Sequence, residues 1–306
     1  MNGNGLPLVT LSTCTYKRFD TVYRTIDSVL SQDYGNFEYI LSDDGSDNFP
    51  GEELERYIRE KAPGLRLTVI HHERNLGTVR HLNRLAEAAK GEYWIDVAAG
   101  DTFLEAGAVA KIVETMRRKG CGVLSFGRKM ISPEGEGLRF LPHRILAKRL
   151  SGLDCRKAYG MFVSGQCHAM FSGSSLAFRM DAFRKLGGYD ERYRLWEDGP
   201  FIAKALCAGE MGMDYTLTAV GYESGGVSTD GKVHPAMEKD VELYNRTDRV
   251  AHLDELNAFR RKLLQVNLRE DRVSAGMALR HPVIAAYKLG YRTLDKVGLA
   301  LDRRSL

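Results

Sequence analysis

Three short stretches set carboxylates beside glycine: "SDDGSD" at 42–47, "AAGD" at 98–101 and "WEDG" at 196–199. Asp, Gly and Ser are turn residues in any protein, and a single acid can cap the N–H groups that open a helix. Turn formation and capping account for one acid. They do not account for two adjacent acids occurring twice, as Asp43-Asp44 and Glu197-Asp198. That pattern asks for a binding or catalytic use.

The surrounding elements say where these acids must sit. "LVTLSTC" (8–14) is apolar and β-branched, a buried strand. In "DTVYRTIDSVLSQ", Val22, Ile26, Val29 and Leu30 repeat with the spacing of one helix face. Strands "FEYILS", "LRLTVIHH", "EYWIDVA" and "CGVLSFG" then alternate with helices "GEELERYIREKA", "VRHLNRLAEAAK" (stopped by Gly91) and "EAGAVAKIVETMRRK". Alternation to about residue 127 predicts βαβ units, hence an α/β fold with a mostly parallel sheet covered on both faces. Residues 128–172 carry a weaker signal, and "ISPEGEGLRFLPHR" reads as loop. Helix "GPFIAKALCAG", strand "MDYTLTAVGY" and a helical run from about residue 233 complete the chain. "SDDGSD" thus follows the second strand, "AAGD" follows the fourth, and "WEDG" opens a helix. In open α/β sheets ligands bind beyond the carboxyl ends of the strands, where the first two of these stretches lie.

Composition removes several classes. A formal charge of +4 over 306 residues is too mild for a nucleic-acid binder. The five cysteines are scattered with no CxxC pair, so neither a disulfide framework nor a zinc site is expected, and a reducing cytosol is the simplest home. "MNGNGLPLVT" has no signal-peptide pattern, and no apolar run is long enough to span a membrane. No GxxxxGK, GxSxG or HExxH motif is present.

From residue 8 to about 230 the chain resembles the family 2 glycosyltransferases. The resemblance is carried by "STCTYKRFDTVYRTIDSVLSQDYGNFEYILSDDGSDN", "NLGTVRHLNRLAEAAKGEYW", "AAGDTF", "LGGYDE", "WEDG" and "GGVST", in the family's order and spacing. It implies the GT-A nucleotide-diphospho-sugar transferase fold, with a catalytic domain over 1–232. The donor-binding half is about 1–127, the acceptor-side half about 128–232, and 233–306 is a helical extension. The implied reaction is inverting transfer of a sugar from a nucleotide donor, a UDP-sugar first, to a hydroxyl of a glycan or lipid-linked acceptor in bacterial surface polysaccharide synthesis. The competing reading is a degenerate transferase that binds nucleotide or a partner without turnover.

The resemblance also assigns roles. Thr13 and Tyr16 match the nucleoside-contacting segment. Asp44 matches the acid that accepts from a uracil N–H. Asp43 either shapes the loop or makes contact itself. Asn75 and Gly77 match a loop near the donor. Asp198 matches the catalytic base. Glu197 orients the acceptor or the base, or complements a helix start. Gly173 and Ser174 fall on the acceptor side, and Trp196 is either a sugar platform or a packed ring.

One departure stands out. The family usually carries a D-x-D-D run where this chain has Ala98 to Asp101, with Ala98 and Gly100 in place of acids. A diphosphate leaving group wants a cation. The expectations are a weakly held Mg²⁺ or Mn²⁺ on Asp101, or a takeover of that charge by basic residues such as Arg80 or His81. The tail, 272–306, holds seven Lys/Arg and two acids. Ile284, Tyr287, Tyr291 and Leu294 share a helix face there, predicting either packing back on the protein, self-association, or attachment to the inner face of the cell membrane.

Overall fold

The computed structural model describes residues 5–132, 136–166, 171–223, 234–270 and 272–302. "GGVST", the loop around it, Cys167, Arg303 and Arg304 lie outside them. The elements run β1 (Val9–Thr15), α1 (Val22–Leu30), β2 (Phe37–Asp43), α2 (Gly51–Lys61), β3 (Arg66–His71), α3 (Thr78–Ala88), β4 (Tyr93–Asp96), β5 (Thr102–Phe103), α4 (Ala108–Lys119) and β6 (Val123–Ile131). They continue β7 (Gly137–Leu141), α5 (Arg144–Ser151), α6 (Cys155–Val163), β8 (Leu176–Arg179), α7 (Met180–Lys185), α8 (Asp198–Cys207), β9 (Met211–Glu223), α9 (Pro235–Arg246), α10 (Ala258–Asn267), α11 (Ala275–Arg280) and α12 (Pro282–Asp302).

The strands form one sheet in the order β3-β2-β1-β4-β8-β6-β9-β5, with β7 also paired to β6. Strands β3, β2, β1 and β4 are all parallel, because each returns through a helix. Beyond β4 the sheet is mixed. β8 inserts antiparallel between β4 and β6, while β9 runs parallel to β6. Both faces are covered, which explains the continuous apolar runs of the central strands. On β2, Tyr39 and Leu41 enter a core with α1, α2 and α4, while Ile40 between them joins a second core with α3, α6, α7 and α8.

The helical extension shares this second core. Tyr244 of α9 and Leu264 of α10 are fully buried in it. The carboxyl ends of β1, β2 and β4 bring Asp43, Asp44, Asp96 and Asp101 to one edge of the sheet.

Candidate functional site

Asp44 follows β2 and is 3% exposed. Its carboxylate accepts from Leu76 N–H at 2.8 Å, Gly77 N–H at 3.0 Å and Asn75 Nδ2 at 2.9 Å. Burial pushes its pKa up, and the two backbone N–H groups pull against that. Asp44 therefore fastens the "NLG" loop to the end of β2. Asp43 is fully buried and takes Ser46 N–H at 2.6 Å, Ser46 Oγ at 2.7 Å and His71 Nδ1 at 3.0 Å, the loop-shaping role. Asp47 is exposed.

Gly77 has φ +87°, and a Cβ there would lie 2.9 Å from the carbonyl oxygen of Arg194. Only glycine fits that approach. Asn75 Oδ1 accepts from Arg194 Nη2 at 3.2 Å, so the loop is tied to the segment that carries "WEDG".

That segment is held from below by an acid that no motif singles out. Asp240, on α9 and 5% exposed, accepts from the backbone N–H groups of Arg194, Leu195 and Trp196 at 2.6–3.1 Å. Asp198 is the first residue of α8. Its Oδ2 accepts Gly173 N–H at 2.8 Å and its Oδ1 accepts Gly199 N–H at 2.7 Å. Burial raises the pKa of Asp198, while those N–H groups and the Arg128 guanidinium lower it. Glu197 is pushed much further up, by burial and then by the Asp198 charge. The two carboxyls therefore titrate together, as a pair that burial holds above the ordinary carboxylate range. Gly173 lets the two carboxyls approach its backbone, since a Cβ there would stand 2.7 Å from Glu197 Oε1. Trp196 stacks edge-on against buried Tyr244 with centroids 5.0 Å apart, so its ring packs against α9.

The "AAGD" turn is held by α1. Thr25 Oγ1 donates to Asp101 O at 2.7 Å and accepts Gly100 N–H at 3.0 Å, and Arg24 Nη2 donates to Gly100 O at 3.0 Å. Asp101 is 5% exposed and accepts Glu223 N–H at 3.2 Å. Burial lifts its carboxyl to about 7, partly opposed by that N–H and by Arg128. Asp96 accepts from Ser12 Oγ and, at 3.4 Å, Cys14 Sγ, and burial lifts it to about 6. Glu223, at the end of β9, pairs with Arg18 at 3.1 Å and with Arg24. Arg128, on β6 and 7% exposed, acts electrostatically on both Asp101 and Asp198.

A hard divalent cation wants several oxygen ligands that are not already neutralised. Here one oxygen of Asp101 is taken by an N–H, Glu223 is spent on two guanidinium groups, and a third guanidinium faces Asp101. The described residues therefore offer a divalent cation little beyond the second oxygen of Asp101, so such a cation would depend on the donor diphosphate for most of its ligands.

The remaining expected residues divide. Tyr16 is 41% exposed at the end of β1. Thr13 is fully buried and accepts from Tyr39 Oη at 2.9 Å, so its side chain builds the strand rather than lining a cleft. Ser174 Oγ pairs with Ser172 Oγ at 3.2 Å. Arg80 is exposed and its Nε lies 3.3 Å from Glu191 on the surface. His81 is buried against Ser42 Oγ at 2.7 Å, and burial drives its pKa down to about 3. His81 carries no charge at neutral pH, and Arg80 is engaged elsewhere.

A sheet of this order with acids at its carboxyl edge is the GT-A fold, and comparison with solved structures agrees. Staphylococcus aureus TarS (residues 1–349, with UDP-GlcNAc) superposes with a TM-score of 0.62 at 18% identity, over 89% of this chain and 76% of that one. The mannosyltransferase PcManGT from Pyrobaculum calidifontis, with GDP-Man and Mn²⁺, gives 0.56 at 17% identity, over 99% and 89%. The chain belongs to glycosyl transferase family 2, whose profile matches residues 10–187. WcaA of Escherichia coli K12, whose name ties it to colanic acid biosynthesis, is 37% identical over 87 residues, 28% of this chain and 30% of that protein. TuaG of Bacillus subtilis, whose name ties it to teichuronic acid biosynthesis, is 29% identical over 135 residues, 44% and 52%. The matched region thus spans about a third to a half of these relatives.

Proposed function

We propose that the protein is an inverting glycosyltransferase that moves a sugar from a nucleoside diphosphate donor to a hydroxyl of a glycan or lipid-linked acceptor in bacterial surface polysaccharide synthesis. The observation that carries this reading is Asp198. Its carboxylate is fixed by two backbone N–H groups, lies in the field of the Arg128 guanidinium, and is bonded through Gly173 to the acceptor-side backbone.

In the reaction, the acceptor oxygen attacks the anomeric carbon from the face opposite the diphosphate. The carbon–oxygen bond to the diphosphate breaks, and the hydroxyl proton passes to Asp198. General-base help of this kind is worth about 10²–10⁴-fold. Asp44 uses three acceptor positions on the "NLG" loop, which leaves its carboxylate about one more for a base-edge N–H. A uracil imide suits it, so a UDP-sugar is the first candidate.

Attachment to an anionic membrane surface belongs to the same reading. No helix among the described residues is long and apolar enough to cross a membrane. On α12, Ile284 is buried and Tyr287 Oη donates to Gln166 Oε1 at 2.8 Å, so that face packs on the protein. Leu294, expected on the packed face, is instead 61% exposed, together with Val283, Val297 and Leu301. These four share a helix face, and Lys288, Arg292 and Lys296 lie on the opposite side of the helix.

The donor is tested by thermal shift of the wild type and Asp44→Ala with UDP, GDP, dTDP and CDP. A ligand at about 100 times its Kd adds roughly 2.7 kcal/mol. The reading requires one nucleotide to raise the wild-type melting temperature and Asp44→Ala to lose that shift. Absence of any shift would remove the nucleotide-sugar assignment.

A further inference from the structure

We propose that a guanidinium cluster, Arg18 and Arg24 bridged by Glu223 with Arg128 behind Asp101, binds the donor diphosphate and carries the charge of the leaving group in place of a divalent cation. The proposal rests on the nucleotide-sugar reading and concerns the same site.

Its first support is what stands where the family's acid is missing. A Cβ built on Gly100 would lie 3.4 Å from Thr21 Oγ1, 3.6 Å from Arg18 Nη2 and 3.6 Å from Glu223 Oε2. The volume an aspartate side chain would enter is therefore already bordered by a guanidinium and its counter-ion. An acid restored at 100 would meet a cation made of protein.

The second support is how that cation is held. Glu223 is 7% exposed and takes Arg18 on one oxygen and Arg24 on the other. Arg24 also donates to Gly100 O, which fixes it to the turn that carries Asp101. The side chains of Arg18 and Arg24 remain 33% and 30% exposed, so both keep a solvent-facing edge while their positions are set from within. One carboxylate thus holds two guanidinium groups side by side. Planar guanidinium forks match phosphate oxygens in pairs, and preorganised donors stabilise charge that develops on a leaving group.

The third support is independent of the arginines. Thr21 Oγ1 is buried and has no hydrogen-bond partner among the described residues, yet it lies beside the Gly100 position. A phosphate oxygen would satisfy this hydroxyl. Arg128 adds a deeper cation that acts on both Asp101 and Asp198, between the donor side and the base. The competing account is a purely structural triad that pins the end of β9 to α1.

The test is isothermal titration calorimetry of the full chain with UDP, GDP, dTDP and CDP, each in EDTA and in excess MnCl₂. The proposal requires one nucleotide to bind in EDTA nearly as tightly as in Mn²⁺. Arg18→Ala should weaken that binding by about 10- to 100-fold, with the nucleotide-free melting temperature held. Should Arg18→Ala fail to fold, Arg18→Lys carries the test, because it keeps the charge and loses the fork, and weaker binding is again required. Binding that appears only with Mn²⁺ overturns the proposal and leaves the donor reading standing. Unchanged affinity in the folded Arg18 variant makes the triad structural. Absence of binding in both buffers removes the donor reading and this proposal together.

Discussion

The carboxylate of Asp240 accepts the backbone N–H of Leu195 at 2.6 Å, joining α9 to the segment that delivers Asp198 three residues later. Arg194 and Trp196 donate to the same carboxylate. The extension after β9 therefore helps to hold the segment that leads into Asp198. Asp240→Ala leaves three part-buried N–H groups without their acceptor, each a penalty of up to about 1–3 kcal/mol. We expect a lowered melting temperature and a fall in kcat of at least about tenfold, with donor affinity falling less, because the three groups that donate to Asp44 do not come from this segment. Full kcat in Asp240→Ala would show that the segment holds its shape without α9.

Gly173 gives a narrower probe of the base. A methyl group there would stand 2.7 Å from Glu197 Oε1 and 3.7 Å from Asp198 Cβ. Gly173→Ala should displace the carboxyl pair and reduce kcat by about 10²-fold, as expected when a catalytic group moves by about 1 Å. Donor Kd should stay within a few-fold. The measurement is steady-state kinetics beside nucleotide titration, and an unaffected kcat would detach Gly173 from the base.

Much of this architecture is legible in the amino-acid pattern. The alternation through residue 127 locates β1 to β4 and their helices, because each apolar run is bounded by glycine or acidic turns. The pairing of β8 is not legible. "LAFR" is four residues long, and its partners on β4 and β6 lie more than 50 residues away on one side. The acids of the site are visible as local clusters, but their counter-charges are not. Arg128 lies just past the end assigned to "CGVLSFG", and β6 runs on to Ile131. A charged residue at the carboxyl end of a strand buried on both faces is the available signal. Asp240, Arg194 and Glu223 give no local signal, since each acts on residues more than 40 positions away.

His81 supplies a pH test away from the chemistry. Its folded pKa, about 3, lies below the ordinary 6.5 because burial disfavours the cation. The unfolded chain therefore takes up the proton first. Stability from this group is complete above about 6.5 and declines as pH falls toward about 3. His81→Gln, which retains a hydrogen-bonding group for Ser42, should show a shallower loss of melting temperature over that window than the wild type. Identical slopes would mean that His81 is not buried neutral.

The exposed stripe on α12 makes a prediction about location. Val297→Glu with Leu301→Glu should lower co-flotation with phosphatidylglycerol vesicles severalfold. Flotation that is equal in the variant and the wild type would assign the stripe to another partner.

The central claim is that Asp198 performs proton removal and does little for donor binding. Asp198→Asn keeps the shape and removes the base. With the donor identified by nucleotide titration, turnover and donor Kd are measured on the same preparations. We expect a kcat lower by about 10²–10⁴-fold with donor Kd within a few-fold of wild type. A variant that turns over at the wild-type rate would contradict it.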